Sequence, residues 1–356
     1  MTHSTSRRRR TATLLAAAAS LAVGLAASPA NAAATWEPQP VPDTYVNMTL
    51  LPFDTQNAYA RTQPFCWDQC EAPKLWQKSG STWKELKPPA DVAFDTLAGT
   101  GPNDLWAIGA KEVGDSLWHV HRYDGTKWSA DLAPDTKKLS ITDAEAVTKT
   151  SLWGAGFTRD NTDYYPTVTH YDGTKWNTKT FTDIDGSFDS IDVRSENDIW
   201  AVGSRTVGLD NYQPLAMHYD GTKWSEVPLP TTPGRRNMLV EVFSNGPTDV
   251  WVASEKYVWH GDGTTWTRQD APASGRVTSF ANYGGQVYAG IAPGDVRNPK
   301  LVRWNGTSWV TDTSLTNASS VHQLATTPDG SLYASYFKIS SGNNNFISRL
   351  APPAAR

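Results

Sequence analysis

The chain alternates hydrophobic and polar residues in short runs separated by Gly, Pro, Asn and Asp, and one aromatic column recurs within these runs. The column consists of Tyr59, Trp106, Trp153, Trp200, Trp251, Tyr288 and Tyr333. Its spacings of 47, 47, 47, 51, 37 and 45 residues define seven units. Alternation with a period of two predicts β-strands, and a repeat of about 40–50 residues predicts a repeat architecture.

A second column consists of tryptophans that follow a turn dipeptide, as in the stretch HYDGTKW at 170–176. It contains Trp83, Trp128, Trp176, Trp224, Trp266 and Trp309, which is one tryptophan fewer than there are units. Trp36 lies 47 residues before Trp83, and the stretch 36–42 resembles 224–230. The last unit ends near Leu350 without its own tryptophan. We therefore expect the N-terminal strand to complete the last unit and close a ring.

Each unit reads as four short strands, for example 188–193, 198–203, 215–219 and 223–227 in one repeat. Four-stranded units of about 40–50 residues are typical of β-propeller blades. The predicted fold class is therefore all-β, a seven-bladed β-propeller forming a single domain over 33–356. A long β-sandwich is the alternative, but it does not explain seven similar units or a split last one.

The Asp-x-Trp-Ala-Val-Gly strand and the Tyr-Asp-Gly-Thr-x-Trp hairpin resemble those of bacterial secreted seven-bladed propellers in the broad kelch and sialidase-like group. The resemblance covers Trp36 to Leu350. The chain departs from the sialidase motif because Asp172 and Gly173 are adjacent, and from kelch blades because Tyr171 and Trp176 are only five residues apart. The resemblance implies the fold without the catalytic motifs of either group.

The first 32 residues read as a signal peptide. Arg7–Arg10 form a basic segment, 11–27 is apolar, and Ala30-Asn31-Ala32 is a small-x-small cleavage site. A membrane anchor is the alternative, but the apolar run is short. We expect a secreted, extracellular protein, with the choice between Sec and twin-arginine export left open.

Charge then limits the partners. Four of the 32 Lys and Arg residues lie in the signal segment, which has no acid, so the remaining chain carries 28 basic and 36 acidic residues, a net charge of −8. This balance disfavours nucleic acid and anionic membranes as partners. No cofactor is expected, and we expect a monomer outside any complex.

Two cysteines, Cys66 and Cys70, are predicted to form a disulfide that stiffens a short loop. Trp67 lies inside this loop and outside both aromatic columns. His170, His218 and His260 occupy equivalent positions in different blades, which are too far apart to share a metal ion. We predict that these histidines are exposed or stacked, and that they form no metal site.

Function is expected on one face of the disc. The connections between the second and third strands vary in length and chemistry, and variable loops on a rigid scaffold carry binding residues. Planar aromatics beside Asp and Asn suit a glycan, which stacks on rings and hydrogen-bonds to amides. The predicted ligand-binding residues are Trp67, Asp68, Arg159, Asp160, Asn161, Asp163, Tyr164, Tyr165, Asp210, Asn211 and Tyr212.

Three functions stay open. The first is a non-catalytic, lectin-like recognition protein that binds a glycan or cell-surface ligand. The second is a protein–protein interaction subunit of a secreted, toxin-like complex. The third is a polysaccharide-degrading glycosidase or lyase, because Glu145, Asp192 and Glu241 lie at similar positions in successive first strands, with Asp95 in the preceding one. A wet channel lined with carboxylates explains the same acids without catalysis.

Overall fold

The computed structural model describes residues 35–43, 46–64, 72–89, 93–110, 118–133, 139–160, 162–272, 275–293, 300–316, 318–339 and 344–353. These residues form 27 β-strands in seven antiparallel sheets, and no α-helix occurs among them. Among the described residues there is no helix that is long and apolar enough to span a membrane. The predicted all-β propeller is confirmed.

Each sheet is one blade of a propeller. The first strand, β1 (Glu37–Gln39), belongs to blade 7. Blade 1 contains β2 (Val46–Pro52), β3 (Asn57–Pro64), β4 (Lys74–Ser79) and β5 (Thr82–Leu86), and blade 2 contains β6 (Ala93–Gly101), β7 (Asp104–Ala110) and β8 (Trp118–Tyr123). Blade 3 contains β9 (Leu139–Thr148), β10 (Ser151–Asp160), β11 (Asp163–Tyr171) and β12 (Trp176–Thr180). Blade 4 contains β13 (Gly186–Ser195), β14 (Asp198–Gly208), β15 (Asn211–Tyr219) and β16 (Trp224–Glu226).

The remaining blades follow the same plan. Blade 5 contains β17 (Leu239–Gly246), β18 (Asp249–Ser254), β19 (Tyr257–Gly261) and β20 (Trp266–Asp270). Blade 6 contains β21 (Gly275–Tyr283), β22 (Gln286–Pro293), β23 (Leu301–Trp304) and β24 (Trp309–Thr311). Blade 7 contains β25 (Ser320–Thr326), β26 (Leu332–Lys338), β27 (Asn344–Leu350) and β1.

The blades form a closed ring around their first strands. The first strand of each blade contacts the first strand of the next, and β25 of blade 7 contacts β2 of blade 1. The hydrophobic core lies between neighbouring blades, because both faces of each sheet are apolar near its second strand. One such cluster joins Trp153 and Val168 of blade 3 to Phe188, Ile191 and Leu215 of blade 4.

The N-terminal strand completes the ring, as predicted. β1 pairs with β27 in antiparallel register, and the order of blade 7 is β1-β27-β26-β25. Trp36 is buried in the cluster between blades 6 and 7, and its indole nitrogen donates to Ser314 Oγ at 2.9 Å. An ion pair between Arg349 and Glu37 at 3.0 Å ties the same two strands together.

The repeated Tyr-Asp-Gly-Thr-Lys stretch makes the turn before the outermost strand. In blade 4, Asp220 Oδ1 accepts from the backbone nitrogens of Thr222 and Lys223, both at 2.9 Å, and the Tyr219 hydroxyl donates to the carbonyl of Gly221. Hydrogen bonds from Thr222 and Lys223 lower the pKa of Asp220 to about 2. Gly221 has φ +90°, and a Cβ there would lie 2.9 Å from Asn197. Only glycine fits this turn without strain.

The tryptophan that follows the turn ties neighbouring blades together. Trp128 donates its indole N–H to the carbonyl of Lys87 in the preceding blade at 2.9 Å, and Trp83 donates to Pro40 at 3.0 Å. The motif is therefore a structural joint between neighbouring blades.

Blade 2 departs from this plan at its outer edge. Six sheets contain four strands, whereas in blade 2 the fourth strand is reduced to a single bridge between Tyr123 and Trp128.

Candidate functional site

The variable hairpins of blades 3 and 4, which the structure describes apart from residue 161, lie on one face of the disc, as the topology predicts. The backbone nitrogen of Thr206, in a hairpin between second and third strands, donates to the carbonyl of Asp185 in a connection between blades at 2.7 Å. Tyr212 N donates likewise to Arg235 O at 2.6 Å. We call the surface formed by residues 157–160, 162–166, 182–186, 204–214 and 230–237 the hairpin face. The Asp-Gly turns lie on the opposite face, where Gly221 approaches Asn197.

Two long hairpins project from this face. β10 and β11 pair out to Asp160 and Asp163, and β14 and β15 pair out to Gly208 and Asn211. Their strands have 9 to 11 residues, whereas β18 and β19 of blade 5 have six and five. The turn of the second hairpin places Asp210 at φ +54°, a left-handed conformation that Asp tolerates better than most residues.

The first hairpin holds four of the predicted residues in two pairs, Arg159 with Tyr164 and Asp163 with Tyr165. The Arg159 guanidinium lies 5.5 Å from the centroid of the Tyr164 ring, and Phe157 packs edge-on against the same ring at 5.2 Å. Tyr165 Oη lies 3.5 Å from Asp163 Oδ2. Desolvation and the carboxylates of Asp163 and Asp160 raise the pKa of Tyr165.

The second hairpin is braced by the connection that follows its blade. Asp210 forms an ion pair with Arg236 at 3.1 Å, and Tyr212 forms an isolated parallel bridge with Arg236. The Asn211 side-chain oxygen accepts from Gln213 Nε2 at 2.9 Å. Asp210 and Tyr212 therefore join the tip of this hairpin to Arg236 in that connection.

Asp185 joins the two hairpins and was not predicted. Its carbonyl accepts from Thr206 N of the second hairpin, and its Oδ1 lies 3.5 Å from Tyr164 N of the first. Asp185 thus connects the backbones of the two hairpins.

Two aliphatic side chains at the tip of the second hairpin were also missed. Leu209 is 94% exposed and Val207 is 51% exposed. The sequence signal was an aliphatic residue on each side of Gly208, in a segment where a turn favours polar residues. Aliphatic residues were not among the polar and aromatic types predicted to bind the ligand.

Five of the predicted residues lie outside the described part of the chain. They are Cys66, Trp67, Asp68, Cys70 and Asn161. The disulfide and the role of Trp67 therefore stay predictions, as does the signal peptide at 1–32.

The histidines of the third strands are stacked, as predicted. His170 stacks on Trp153 with ring centroids 4.1 Å apart, and His260 stacks on Trp251 at 3.8 Å. Each also binds the first residue of the second strand, as in the 2.8 Å contact between His260 Nε2 and Asp249 Oδ1. Arg122 and Arg303 occupy the same position and contact Asp104 and Gln286. These contacts fasten the second and third strands of a blade.

The candidate catalytic acids bind the backbone of the next blade. Glu145 Oε2 accepts from Val193 N at 2.7 Å, and Asp192 accepts from the backbone of Ser244. Glu241 accepts from the backbone of Phe280. Each acid therefore connects first strands around the ring, which gives it a structural role.

The register separates these acids into two rows. Glu145 and Asp192 lie opposite the tryptophan of the second strand, but Glu241 lies opposite Ala253, two residues further along. Glu241 is equivalent to Asp143, which was not predicted and accepts from Ile191 N at 2.9 Å. Glu241 precedes Trp251 by ten residues, as Asp143 precedes Trp153, whereas Glu145 and Asp192 precede their tryptophans by eight. In blades 4, 6 and 7 the same position carries Ser190, Ser279 and Gln323, which accept from the next blade in the same way.

Burial raises the pKa values of these acids. Desolvation, followed by the charge of Asp192, raises the pKa of Glu145 to about 8. Desolvation raises the pKa of Asp192 to about 7 and that of Glu241 well above its usual range. Asp95 forms an ion pair with Arg61 at 3.1 Å, and its pKa is raised by desolvation. Perturbed carboxyls can serve acid–base catalysis, but structural networks produce the same shifts.

Two concave surfaces occur among the described residues away from the hairpin face. A groove of about 610 Å³ between blades 3 and 4 is lined by Trp153, His170, Trp176, Glu196 and Trp224 among others. A smaller groove of about 460 Å³ occupies the equivalent place between blades 5 and 6 and includes Trp251, His260 and Trp304. Separately, His119, His121 and Asp131 of blade 2 could hold a metal ion.

No protein-family model matches the chain, and no characterised protein matches it by sequence. Its structure is similar to YCF48 from Cyanidioschyzon merolae, with a TM-score of 0.61 and 12% identity over 90% of this chain and 100% of that one. It is also similar to YCF48 bound to D1 peptide, with a TM-score of 0.59 and 13% identity over 90% and 97% of the two chains.

A third similar structure is the extracellular domain of the hybrid two component system BT4673 from B. thetaiotaomicron. The TM-score is 0.60 with 12% identity, and the match covers 90% of this chain and 40% of that one. At these identities the likeness shows the propeller fold alone, and it assigns the chain to neither the kelch nor the sialidase-like group.

Proposed function

We propose that this protein is an exported, non-catalytic recognition protein that binds a partner protein through its hairpin face. The observation that carries the proposal is Leu209, which is 94% exposed at the tip of the β14–β15 hairpin. Burying a leucine side chain contributes about 1.5–3 kcal/mol, so an aliphatic tip on a braced hairpin is suited to insertion into an apolar depression of a partner.

The bracing favours binding because it reduces the ordering that association requires. Asp185 holds one side of the hairpin through Thr206, and Arg235 holds the other through Tyr212. A preorganised hairpin loses less conformational entropy on binding than a mobile loop of the same length.

The charge of the face indicates the chemistry of the partner. Five exposed aspartates surround the tip, against three exposed arginines, of which Arg236 is paired with Asp210 and Arg159 lies over Tyr164. The aspartates are Asp160, Asp163, Asp183, Asp185 and Asp210. The matching surface on a partner carries basic residues around a small apolar depression. The structural likeness to YCF48 bound to a peptide and to an extracellular sensor domain supports a recognition role.

Glycan binding is the second candidate, and the groove between blades 3 and 4 favours it. Trp176 and Trp224 are half-buried at this groove beside Glu196 and Lys179, a combination of ring faces and polar groups that suits a sugar. On the hairpin face, by contrast, Tyr164 already packs against Arg159 and Phe157, which leaves less ring surface for stacking. The hydrolase hypothesis has weaker support, because Glu145, Asp192 and Glu241 each bind backbone of the next blade.

The test is affinity capture from the culture supernatant of the producing organism with the mature chain as bait. We expect Leu209→Asp to reduce recovery of the bound protein at least tenfold. Ile339→Asp is the matched control, because Ile339 is 50% exposed and follows the second strand of blade 7. Equal recovery with both variants contradicts the proposal.

A glycan array run with the same proteins separates the second candidate. Binding that is lost in Trp224→Ala and retained in Leu209→Asp assigns recognition to the groove. Loss in Trp67→Ala and Tyr165→Ala assigns it to the loops predicted from the sequence. Either result with no captured protein overturns the protein-partner proposal.

A further inference from the structure

Blade 2 carries a pair of histidines on its outermost full strand. His119 and His121 are alternate residues of β8, so their side chains leave the same face of the sheet. The two rings are parallel within 12°, with centroids 6.4 Å apart. His121 is buried and packs edge-on against Phe94, whereas His119 is partly exposed. Equivalent positions in blade 4 carry Leu215 and Met217.

A carboxylate meets this pair from the segment that replaces the fourth strand. We call residues 129–133 the outer segment. One possible ligand atom from each of His119, His121 and Asp131 lies within 4.8 Å of the other two.

An extra residue in the outer segment produces this geometry. In blade 4, the nitrogen that donates to Ala216 O belongs to Val227, three residues after Trp224. In blade 2, the nitrogen that donates to the equivalent Val120 O belongs to Leu132, which is four residues after Trp128. One inserted residue disrupts a ladder locally and redirects the side chains beside it.

Side chains replace the lost ladder in blade 2. Arg122 N donates to Ser129 Oγ and Val120 N donates to Asp131 Oδ1, both at 3.0 Å. Asp131 Oδ1 also accepts from Ala133 N at 3.0 Å. These bonds fix the carboxylate and leave Oδ2 directed to His119, 2.6 Å from its Nδ1. The other ring nitrogen of His119, Nε2, is buried and has no hydrogen-bond partner among the described residues.

We propose that His119, His121 and Asp131 bind a divalent transition-metal ion, Zn²⁺ above all, which clamps the outer segment to β8. Two imidazoles and one carboxylate form a ligand set that Zn²⁺ accepts, with water in the fourth position. The backbone donors on Asp131 Oδ1 act as the outer contacts that orient a ligating carboxylate. The ion adds a further link between β8 and the outer segment, which form no continuous strand ladder.

The fit requires a small movement. Two ligands of one tetrahedral Zn²⁺ lie about 3.3 Å apart, given metal–ligand bonds of about 2.0–2.1 Å. With His119 Nδ1 and Asp131 Oδ2 as ligands, the two atoms separate by about 0.7 Å from their hydrogen-bonded distance of 2.6 Å. His119 and Asp131 are partly exposed and can make this adjustment. His121 is buried, and its ligand atom lies within 4.8 Å of theirs, so these two side chains must also approach it.

The test uses the full mature chain without an affinity tag, stripped with EDTA and titrated with ZnCl₂ by calorimetry. We expect saturable binding of one ion and an unfolding midpoint that rises with the zinc concentration, as for any ligand that binds the folded state. His119→Gln and Asp131→Asn are each expected to weaken binding at least tenfold and to abolish the zinc-dependent rise. Asp131→Asn keeps an oxygen for Val120 N and Ala133 N, so its metal-free midpoint should stay close to that of the wild type.

His218→Gln is the matched control. His218 also lies on a third strand and contacts an aspartate, Asp198, at 2.8 Å, but no second histidine lies beside it on β15. This variant should bind zinc as the wild type does. Unchanged affinity in His119→Gln and Asp131→Asn overturns the proposal, and so does the absence of saturable binding to the wild type.

Discussion

Replacing Trp36 by alanine tests whether the N-terminal strand closes the ring. Trp36 is 9% exposed, and it packs into the cluster that joins blades 6 and 7. Removing a buried tryptophan costs about 3–5 kcal/mol. The lost hydrogen bond to Ser314 adds little, because the Ser314 hydroxyl keeps Asp312 as a partner. We therefore expect the free energy of unfolding to fall by about 3–4 kcal/mol.

The assay is urea unfolding followed by far-ultraviolet circular dichroism, which does not depend on the fluorescence of the residue removed. Glu37→Gln is the control on the same strand. Its carboxylate is 56% exposed in the ion pair with Arg349, and such pairs contribute about 0–1 kcal/mol. If Trp36→Ala and Glu37→Gln unfold at the same urea concentration, the N-terminal strand does not hold the ring closed.

Three further predictions concern the joints of the propeller. Glu145 has a pKa of about 8, above its ordinary value of 4.5, so the folded state binds its proton more tightly and wild-type stability should fall as pH rises from 5 to 8. Glu145→Gln should reduce that fall by roughly 1 kcal/mol, allowing for screening by channel water. Urea midpoints that change equally between pH 5.5 and 8.5 in the wild type and in Glu145→Gln would contradict this. Gly221→Ala should lower the free energy of unfolding by about 1–3 kcal/mol, because it combines φ +90° with a contact on Asn197. Gly306→Ala, with φ +100° and no atom near its Cβ, should lower it less in the same assay. Asp249→Ala removes the acceptor for both Trp251 Nε1 and His260 Nε2. It should lower the free energy of unfolding, measured by thermal unfolding, by about 2–3 kcal/mol. A decrease below about 1 kcal/mol would show that these bonds do not fasten the blade.

The parts of the fold that repeat could be predicted from the sequence. Regular spacing of the two aromatic columns fixed the number of blades, and the displaced Trp36 indicated the closure. The same spacing assigned His170 and His260 to a repeated position, and the structure confirms that they are stacked. Repetition is informative because each blade must satisfy the same contacts with its neighbours.

The parts that break the repeat could not be predicted. One extra residue between Trp128 and Leu132 becomes visible only when the hydrogen-bond partner of Leu132 is known. Single-residue insertions change which face a side chain occupies, and they leave no signal in composition or period.

The site residues chosen from the sequence stay a prediction, and the structure shows how those of blades 3 and 4 are placed. Topology placed the variable loops on one face, and the structure brings the hairpins of blades 3 and 4 together there. The residues selected for a glycan, such as Arg159 and Tyr164, contact one another. The exposed side chains at the tip are Leu209 and Val207, and their exposure depends on how far β14 and β15 extend beyond the disc.

The most direct test of the recognition proposal is hydrogen–deuterium exchange on the mature chain, alone and with the protein captured from supernatant. The account predicts slower exchange on binding in 157–166 and 204–214, and unchanged exchange in the Asp-Gly turns of the opposite face. Protection confined to those turns, or to the groove around Trp176 and Trp224, would contradict recognition through the hairpin face.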